Sequence, residues 1–531
     1  ASHAYITSGI STLSKPFEWM ELDDYGAYGL GQMNSHTSWL PALMLLPSYV
    51  FPHNLAATNI FVKGLQPGQT IPWGVVAGPI AFWSIYDIVA ALMTLSFAFI
   101  ATGPEWTEER VIFPMYVPAI YMVNSLSSRD DKGKSSLLSL NVFSSKVFWI
   151  MFVIGLIIGS TIGTLALLPM TRSASAPWMT TYLDYMSFSW GSFIAPVMPG
   201  AFISPSLEIM EALIMIILPY EVMVTMLITW LAVPMLYEFI AVKAGWVTYV
   251  VGSENNGMYV YGSEAPFPYY LWANTGLAVG VGLYFAWKMR KRIKKALLSV
   301  LGPSQYENGF NVKKGAWLFI GSVVAFFVLE LLMGANWFVA IVWLILFFIW
   351  QIAVARVNAE VWWDAPTLMY TWWQLYFPIG AGLGIWQNVP AQNSRPLVAQ
   401  NVINQSMGSG GALFDDNLNL GYETGLYKWA HDTHANLRDV FNWTIILTVI
   451  TMPISAIFLT WLVAHVSWSN AAAWSGWEVW NAMAGGITST TNNWYAGETY
   501  AQVWGWTVLG VAFVWILMFL RSAFPWFMFS P

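Results

Sequence analysis

The chain has 531 residues, of which 57% are hydrophobic and 9% charged, with a formal net charge of -6 and a mean hydropathy of +0.54. A soluble domain needs roughly 25% charged residues to cover its surface, so lipid must cover much of this one. There is no cysteine, which excludes thiolate metal sites, iron–sulfur clusters, thiol catalysis and disulfides. No basic, Gly-rich or RGG-like tract points to nucleic acid.

In chain order, residues 1–36 form a polar lead-in without the basic and apolar regions of a signal peptide. Apolar runs long enough to span follow at Trp73–Thr102, Phe148–Pro169, Tyr269–Trp287, Ala316–Gly334, Trp337–Val357, Asn442–Val466 and Val503–Phe519, with a shorter, Pro-containing one at Thr37–Phe51. Val111–Val123, Phe193–Ile240, Pro366–Trp386 and Ala471–Ile487 are interrupted by Pro, Gly or polar residues. The expectation is an all-α, polytopic integral membrane bundle of roughly ten to thirteen transmembrane or re-entrant helices, each crossing needing about 20 residues. Four regions follow: the lead-in 1–36, a main bundle 37–386, an extracytoplasmic loop region 387–441, and C-terminal helices 442–531.

Orientation follows local Lys and Arg rather than total charge. Two basic loops, 125–146 with Arg129, Lys132 and Lys134 and 288–314 with Lys288, Arg290, Lys291, Arg292, Lys294 and Lys295, are expected in the cytoplasm. The Asn- and Gly-rich stretch that follows Gln387 is expected outside.

An ionisable group at the bilayer centre costs at least about 2.5–3.5 kcal/mol, so each needs a partner or a task. The candidates are mostly acids: Asp87, Glu208, Glu211, Glu221, Glu238 and Glu330, together with Arg356, Glu360 and Asp364 in "ARVNAEVWWDAP". Asp87 suits a polar cavity or a hydrogen bond to a neighbouring helix. Glu208 and Glu211 sit at i,i+3, serving either a helix dipole or a cation site. Glu330 suits interfacial solvation as well as function. Arg356, Glu360 and Asp364 fall at i, i+4 and i+8, so a continuing helix aligns them on one face and lets Arg356 pair with Glu360. Such a row is either a solvated helix end or part of a midplane site beside a broken helix.

"HDTHANLRD" places His431 and His434 at i,i+3, a spacing that can ligate metal but lacks a clear third ligand. Asp415–Glu423, "DDNLNLGYE", is not a full calcium loop and suits Asx turns. Walker, Rossmann and nucleophile-elbow motifs are absent. No cofactor is expected.

"EWTEERVIFPMYVPAIYMV", the basic loop after it, "VFWIMFVIGLIIGS" and "ARVNAEVWWDAP" together resemble prokaryotic membrane proteins of unknown function distantly related to oligopeptide transporters, an OPT-like family. Trp106, Glu109, Arg110, Phe113 and Pro114 match one motif of that family; Arg356, Ala359, Glu360 and Pro366 partly match a second. Trp362 stands where a glycine is expected, and Pro366 falls late. The resemblance implies a transporter-like fold.

The leading expectation is a secondary transporter in the cell membrane, moving a small solute such as a peptide or metal chelate with protons or cations. Glu360 and Asp364 would bind the coupling ion or a substrate amine, Arg356 would set their charge, and Asp87 with Glu211 would contribute from across a central cavity. The alternative, motivated by the heavy Trp, Tyr and Phe content and by the long outside loop that could dock partners, is a structural or accessory subunit of a larger membrane complex or homo-oligomer, whose intramembrane acids would pair with a neighbour's Arg or Lys. A third reading, an intramembrane metalloenzyme, depends on His431 and His434.

Overall fold

The computed structural model describes residues 45–128 with short breaks, 146–153, 197–201, 218–247, 272–361, 373–385, 394–406, 420–466 and 500–524, with a few isolated residues besides. Most of these are helical. In order the helices are α1 Trp73–Phe97, α2 Gly103–Glu108, α3 Val117–Ser127, α4 Tyr220–Trp230, α5 Glu238–Lys243, α6 Ala278–Leu298, α7 Val312–Met333, α8 Trp337–Val361, α9 Trp373–Gly382, α10 Arg395–Ser406, α11 Leu420–Asp432, α12 Leu437–Val466 and α13 Tyr500–Ala523. Among the described residues six runs are long and apolar enough to cross a membrane: Trp73–Glu108, Tyr220–Lys243, Val312–Met333, Trp337–Val361, Leu437–Leu462 and Ala501–Ala523.

Two of these runs widen locally into π-helix, and proline explains both. The ring of a helical proline clashes with the carbonyl four residues before it, and a π-turn absorbs the misfit. Pro104 does this to Ile100, inside the π segment Ala98–Thr102 that joins α1 to α2. Pro234 lies within the π segment Leu231–Tyr237 that joins α4 to α5. A third π segment, Trp272–Leu277, leads into α6 and carries Gly276.

α1 and α7 run antiparallel, with Phe97 against Phe319 and Tyr86 against Phe326. α6 lies between α8 and α13, parallel to both. Gly282 meets the Ile349 carbonyl. A Cβ on Gly276 would lie 2.8 Å from the Cα of Gly510, and the Thr275 and Thr507 hydroxyls hydrogen-bond at 2.9 Å beside that crossing. Small residues permit such close backbone approach between membrane helices. Among the described residues the side chains form two large core clusters and a small third one of Ala241 and Val247. One, around Trp83, Tyr86, Phe326, Trp343 and Leu397, lies towards the start of α1. The other, around Phe99, Trp106, Phe285, Tyr427 and Phe441, lies towards its end.

The turn between α6 and α7 is a two-residue hairpin. β1 Met186–Ser187 and β2 Ser206–Leu207 pair elsewhere, whereas β3 Tyr306–Glu307 and β4 Phe310–Asn311 flank Asn308 and Gly309. Both turn residues have positive φ, 45° and 85°, the conformation that Asn-Gly supplies in a type I′ turn. Asn311 then caps α7, its side chain accepting from the Lys314 amide.

Several expectations change here. The basic run Lys288–Lys295 is the second half of α6 and not a loop, since Lys and Arg are good helix formers. The supposed outer loop 387–441 contains α10, α11 and the start of α12. α11 buries Leu420, Thr424 and Tyr427, at i, i+4 and i+7, against α8 and α2. Its single helical stripe is too short to stand out from the polar residues around it. Residues 45–50 are turns where a span over Thr37–Phe51 was expected. Within Val111–Val123 a 3-10 turn, Pro114–Tyr116, precedes α3, whose 11 residues reach only about 16 Å at 1.5 Å per residue.

Candidate functional site

At the end of α1 the bundle gathers a cluster of charge. The chain leaves α2 through a Schellman turn: the Val111 amide donates to the Trp106 carbonyl at 3.0 Å and the Arg110 amide to Thr107 at 3.1 Å. Arg110 holds the left-handed position with φ 58°, and Phe113 a second one with φ 51°. The Phe113 amide then donates to the Ala359 carbonyl at 2.9 Å, which pins this turn to the last turns of α8. The two motifs, 250 residues apart by the count from Glu109 to Ala359, therefore meet backbone to backbone.

Arg356 is the hub. Its guanidinium bonds Glu360 on its own helix at 2.6 Å and Glu109 at 2.8 Å. Lys288 of α6 reaches the other oxygen of Glu109 at 2.7 Å. The guanidinium also lies 4.3 Å from the Phe285 ring centroid and 5.5 Å from that of Trp106, within cation–π range. The Arg356 side chain is 12% exposed and that of Glu109 19%, so water screens these pairs only partly.

One turn further along α6, Arg292 gathers a second set of acids. It bonds Glu105 at 3.0 Å and Glu307 of the hairpin at 3.4 Å, and it pairs closely with Glu108. Burial alone would lower the Arg292 pKa, but the bonds and charges of Glu108, Glu307 and Glu105 hold it above its ordinary value. Tyr427 of α11 packs beside this group. Burial, with the neighbouring Glu307 and Glu108, pushes its phenol up, while Arg292 pulls it back.

Residues 32–531 match a family of unknown function, DUF6785. The chain belongs to it. No curated protein and no solved structure matches the chain.

In this DUF6785 chain the sequence-predicted residues separate into groups. Arg356, Glu360, Trp106, Glu109, Arg110 and Pro114 come together, though Arg110 points to the exposed side of its turn. Asp364 and Glu211 lie outside the described residues, as does Glu208. Asp87 is 2% exposed, but it sits 18 residues before Glu105 on the continuous run, about 27 Å along a helix. It belongs to the other core cluster. The structure does not bring it to Arg356.

His434 has a structural task. It is the left-handed residue, φ 56°, of a second Schellman turn, with Ala435 N–H donating to the Ala430 carbonyl at 2.8 Å. His431 stands 3.0 Å from Asp432, which Lys428 also holds. No group of three or more metal-ligating side chains occurs among the described residues. The Leu420 amide donates to the Gln351 side-chain oxygen at 2.7 Å, and the described part of the expected Asx loop, residues 420–423, is the first turn of a buried helix.

Sequence reasoning missed Lys288, Arg292, Glu105, Glu108 and Glu307 as members of the cluster. Lys288 and Arg292 are spaced i,i+4, and so face the same way from α6. That spacing was the available signal.

Proposed function

We propose that this protein is a secondary transporter in the cell membrane, moving a small solute of the peptide or metal-chelate type with protons or cations. The observation that carries the reading is the Arg356 hub. It joins α2, α6 and α8 through ion pairs rather than through apolar packing alone, next to the π segment Ala98–Thr102. Charges in a membrane protein mark solute and ion pathways, and π-turns frequently mark functional sites. Such a hub can act as a gate: a solute carboxylate that displaces Glu109 or Glu360 from Arg356, or a proton that neutralises one of them, breaks a pair that joins the helices and loosens their packing.

On this reading Glu360 and Asp364 serve the coupling ion or a substrate amine, and Asp87 and Glu211 line the route from the opposite side. The fold is the transporter-like bundle of roughly ten to thirteen crossings or half-crossings, and the resemblance to OPT-like proteins belongs to the same proposal. The end bearing Lys288, Arg292 and Arg356 faces the cytoplasm, in keeping with the positive-inside rule.

The test is uptake into liposomes under a proton gradient, with short peptides and metal chelates as solutes. Glu360→Gln is expected to lower the initial rate at least about tenfold, or about 1.4 kcal/mol, without lowering the unfolding temperature enough to explain it. Full retention of uptake would remove Glu360 from the mechanism. A second reading, an accessory subunit, draws support from Tyr220–Lys243, only 6% of whose most apolar stretch is buried among the described residues. Native mass after mild-detergent extraction separates the two: stoichiometric foreign subunits favour the second.

A further inference from the structure

Glu330 of α7 is fully buried, and neither of its carboxyl oxygens has a hydrogen-bond partner among the described residues. Gln400 of α10 is also fully buried, and both its amide nitrogen and its amide oxygen lack partners. Two orphaned polar groups in one protein interior call for an explanation.

Their positions relate them. Phe326, Glu330 and Met333 fall at i, i+4 and i+7, so they share one face of α7; Leu397, Gln400 and Ile403 share one face of α10. Phe326, Met333, Leu397 and Ile403 all belong to a single buried cluster, and α7 and α10 pack against each other. The two polar side chains therefore lie on helix faces that contribute to one buried cluster, without a hydrogen bond between them in this structure. A carboxylate there would be an uncompensated charge away from water, which proteins avoid by pairing or neutralising it.

The surrounding charges do not pair with it. The titratable groups in or beside the same cluster are neutral phenols or a further acid: Tyr86 of α1, whose ring lies 4.8 Å from that of Phe326, with Asp87 next to it in the chain, Tyr376 of α9, and Tyr49, whose hydroxyl donates to the Leu332 carbonyl. On α10 the nearby titratable group is Arg395, whose guanidinium packs over Gly334 at the end of α7 and is itself exposed, with no ion pair to Glu330. Arg356 and Glu360 of α8 and the basic residues of α6 lie beside the start of α7, 18 residues away.

We propose that Glu330 and Gln400 form an intramembrane proton-binding site. Glu330 carries the proton, and Gln400 supplies an amide that accepts from the neutral acid or donates to the carboxylate after a side-chain rotation. A proton suits the site better than a metal cation, because two carboxyl oxygens and one amide oxygen fall short of the six or so that hard cations take. As the coupling site of a carrier this rests on the transporter reading, but proton occupancy stands or falls by itself.

Infrared difference spectroscopy of the full chain in lipid, between neutral and alkaline pH, reads the protonated carboxyl band directly and needs no transport. Glu330→Gln is expected to remove one carboxyl's share of that band, Glu330→Asp to keep it at a shifted frequency, and Gln400→Leu to shift it. An unchanged band in Glu330→Gln overturns the site, and an unmoved band in Gln400→Leu overturns the part given to Gln400. Should Glu330→Gln fail to fold, the Asp and Leu variants still decide, since a band that neither of them moves overturns the proposal. Loss of the band with uptake intact would leave the proton site standing and remove its coupling role; an intact band with no uptake of any solute would fault the transport reading.

Discussion

Arg356 meets two carboxylates and two aromatic faces, and only a guanidinium fits all four. Its planar fork bonds Glu360 and Glu109 in different directions while its face lies over Phe285, something a lysine ammonium cannot reproduce. Removing it leaves Glu109 and Glu360 close together, with Lys288 as the remaining cation beside them. Arg356→Leu is therefore expected to cost about 2–4 kcal/mol, somewhat below the cost of breaking a fully buried pair because water reaches part of the group. Arg356→Lys should recover only part of that loss. Unfolding followed by intrinsic tryptophan fluorescence measures both, and equal stability for Leu and wild type would reduce the hub to a surface decoration. The pairing with Glu360 was legible from i,i+4 spacing. The bond to Glu109 was not, because nothing local in a sequence records which distant turn a helix end will meet.

Helices α2 and α11 end in the same way, in Schellman turns whose left-handed residues are Arg110 and His434 rather than glycine. A side chain costs about 1–2 kcal/mol in that conformation, partly offset because glycine loses more backbone freedom on folding. His434→Gly is thus expected to raise stability by about 0.5–1 kcal/mol, and a drop in unfolding temperature would show that the imidazole is held by contacts worth more than the strain. These ends were hidden from sequence reading for the same reason: a helix stop is ordinarily recognised by its glycine. The Asn308–Gly309 hairpin is the opposite case, a turn whose chemistry stands in the letters yet was passed over beside the long apolar runs. α11 escaped because the burial of Leu420, Thr424 and Tyr427 depends on α8 and α2, whereas apolar runs such as Val312–Met333 announce themselves without a partner.

The described basic residues are distributed unevenly along the bundle. Lys288, Arg292, Arg356, Lys428 and Arg438 lie at the end where α2, α6, α8 and α11 finish and α12 begins. Arg395 lies at the other end, where Gly334 turns α7 back into α8. On the proposed reading, the positive-inside rule places the whole first group in the cytoplasm, together with the turn from α11 to α12, whereas the sequence pattern places that turn outside. The Gly309 contact with Asn436 ties that turn to the hairpin following α6, so the two loops cannot be on opposite faces. A chain without cysteine makes this directly measurable. With a membrane-impermeant maleimide applied to intact cells, Trp337→Cys should be labelled, whereas Lys294→Cys and Arg438→Cys should react only after the membrane is opened. Labelling of Arg438→Cys together with Trp337→Cys, and not with Lys294→Cys, would break the pairing of these two loops and with it the packing of α11 inside the bundle.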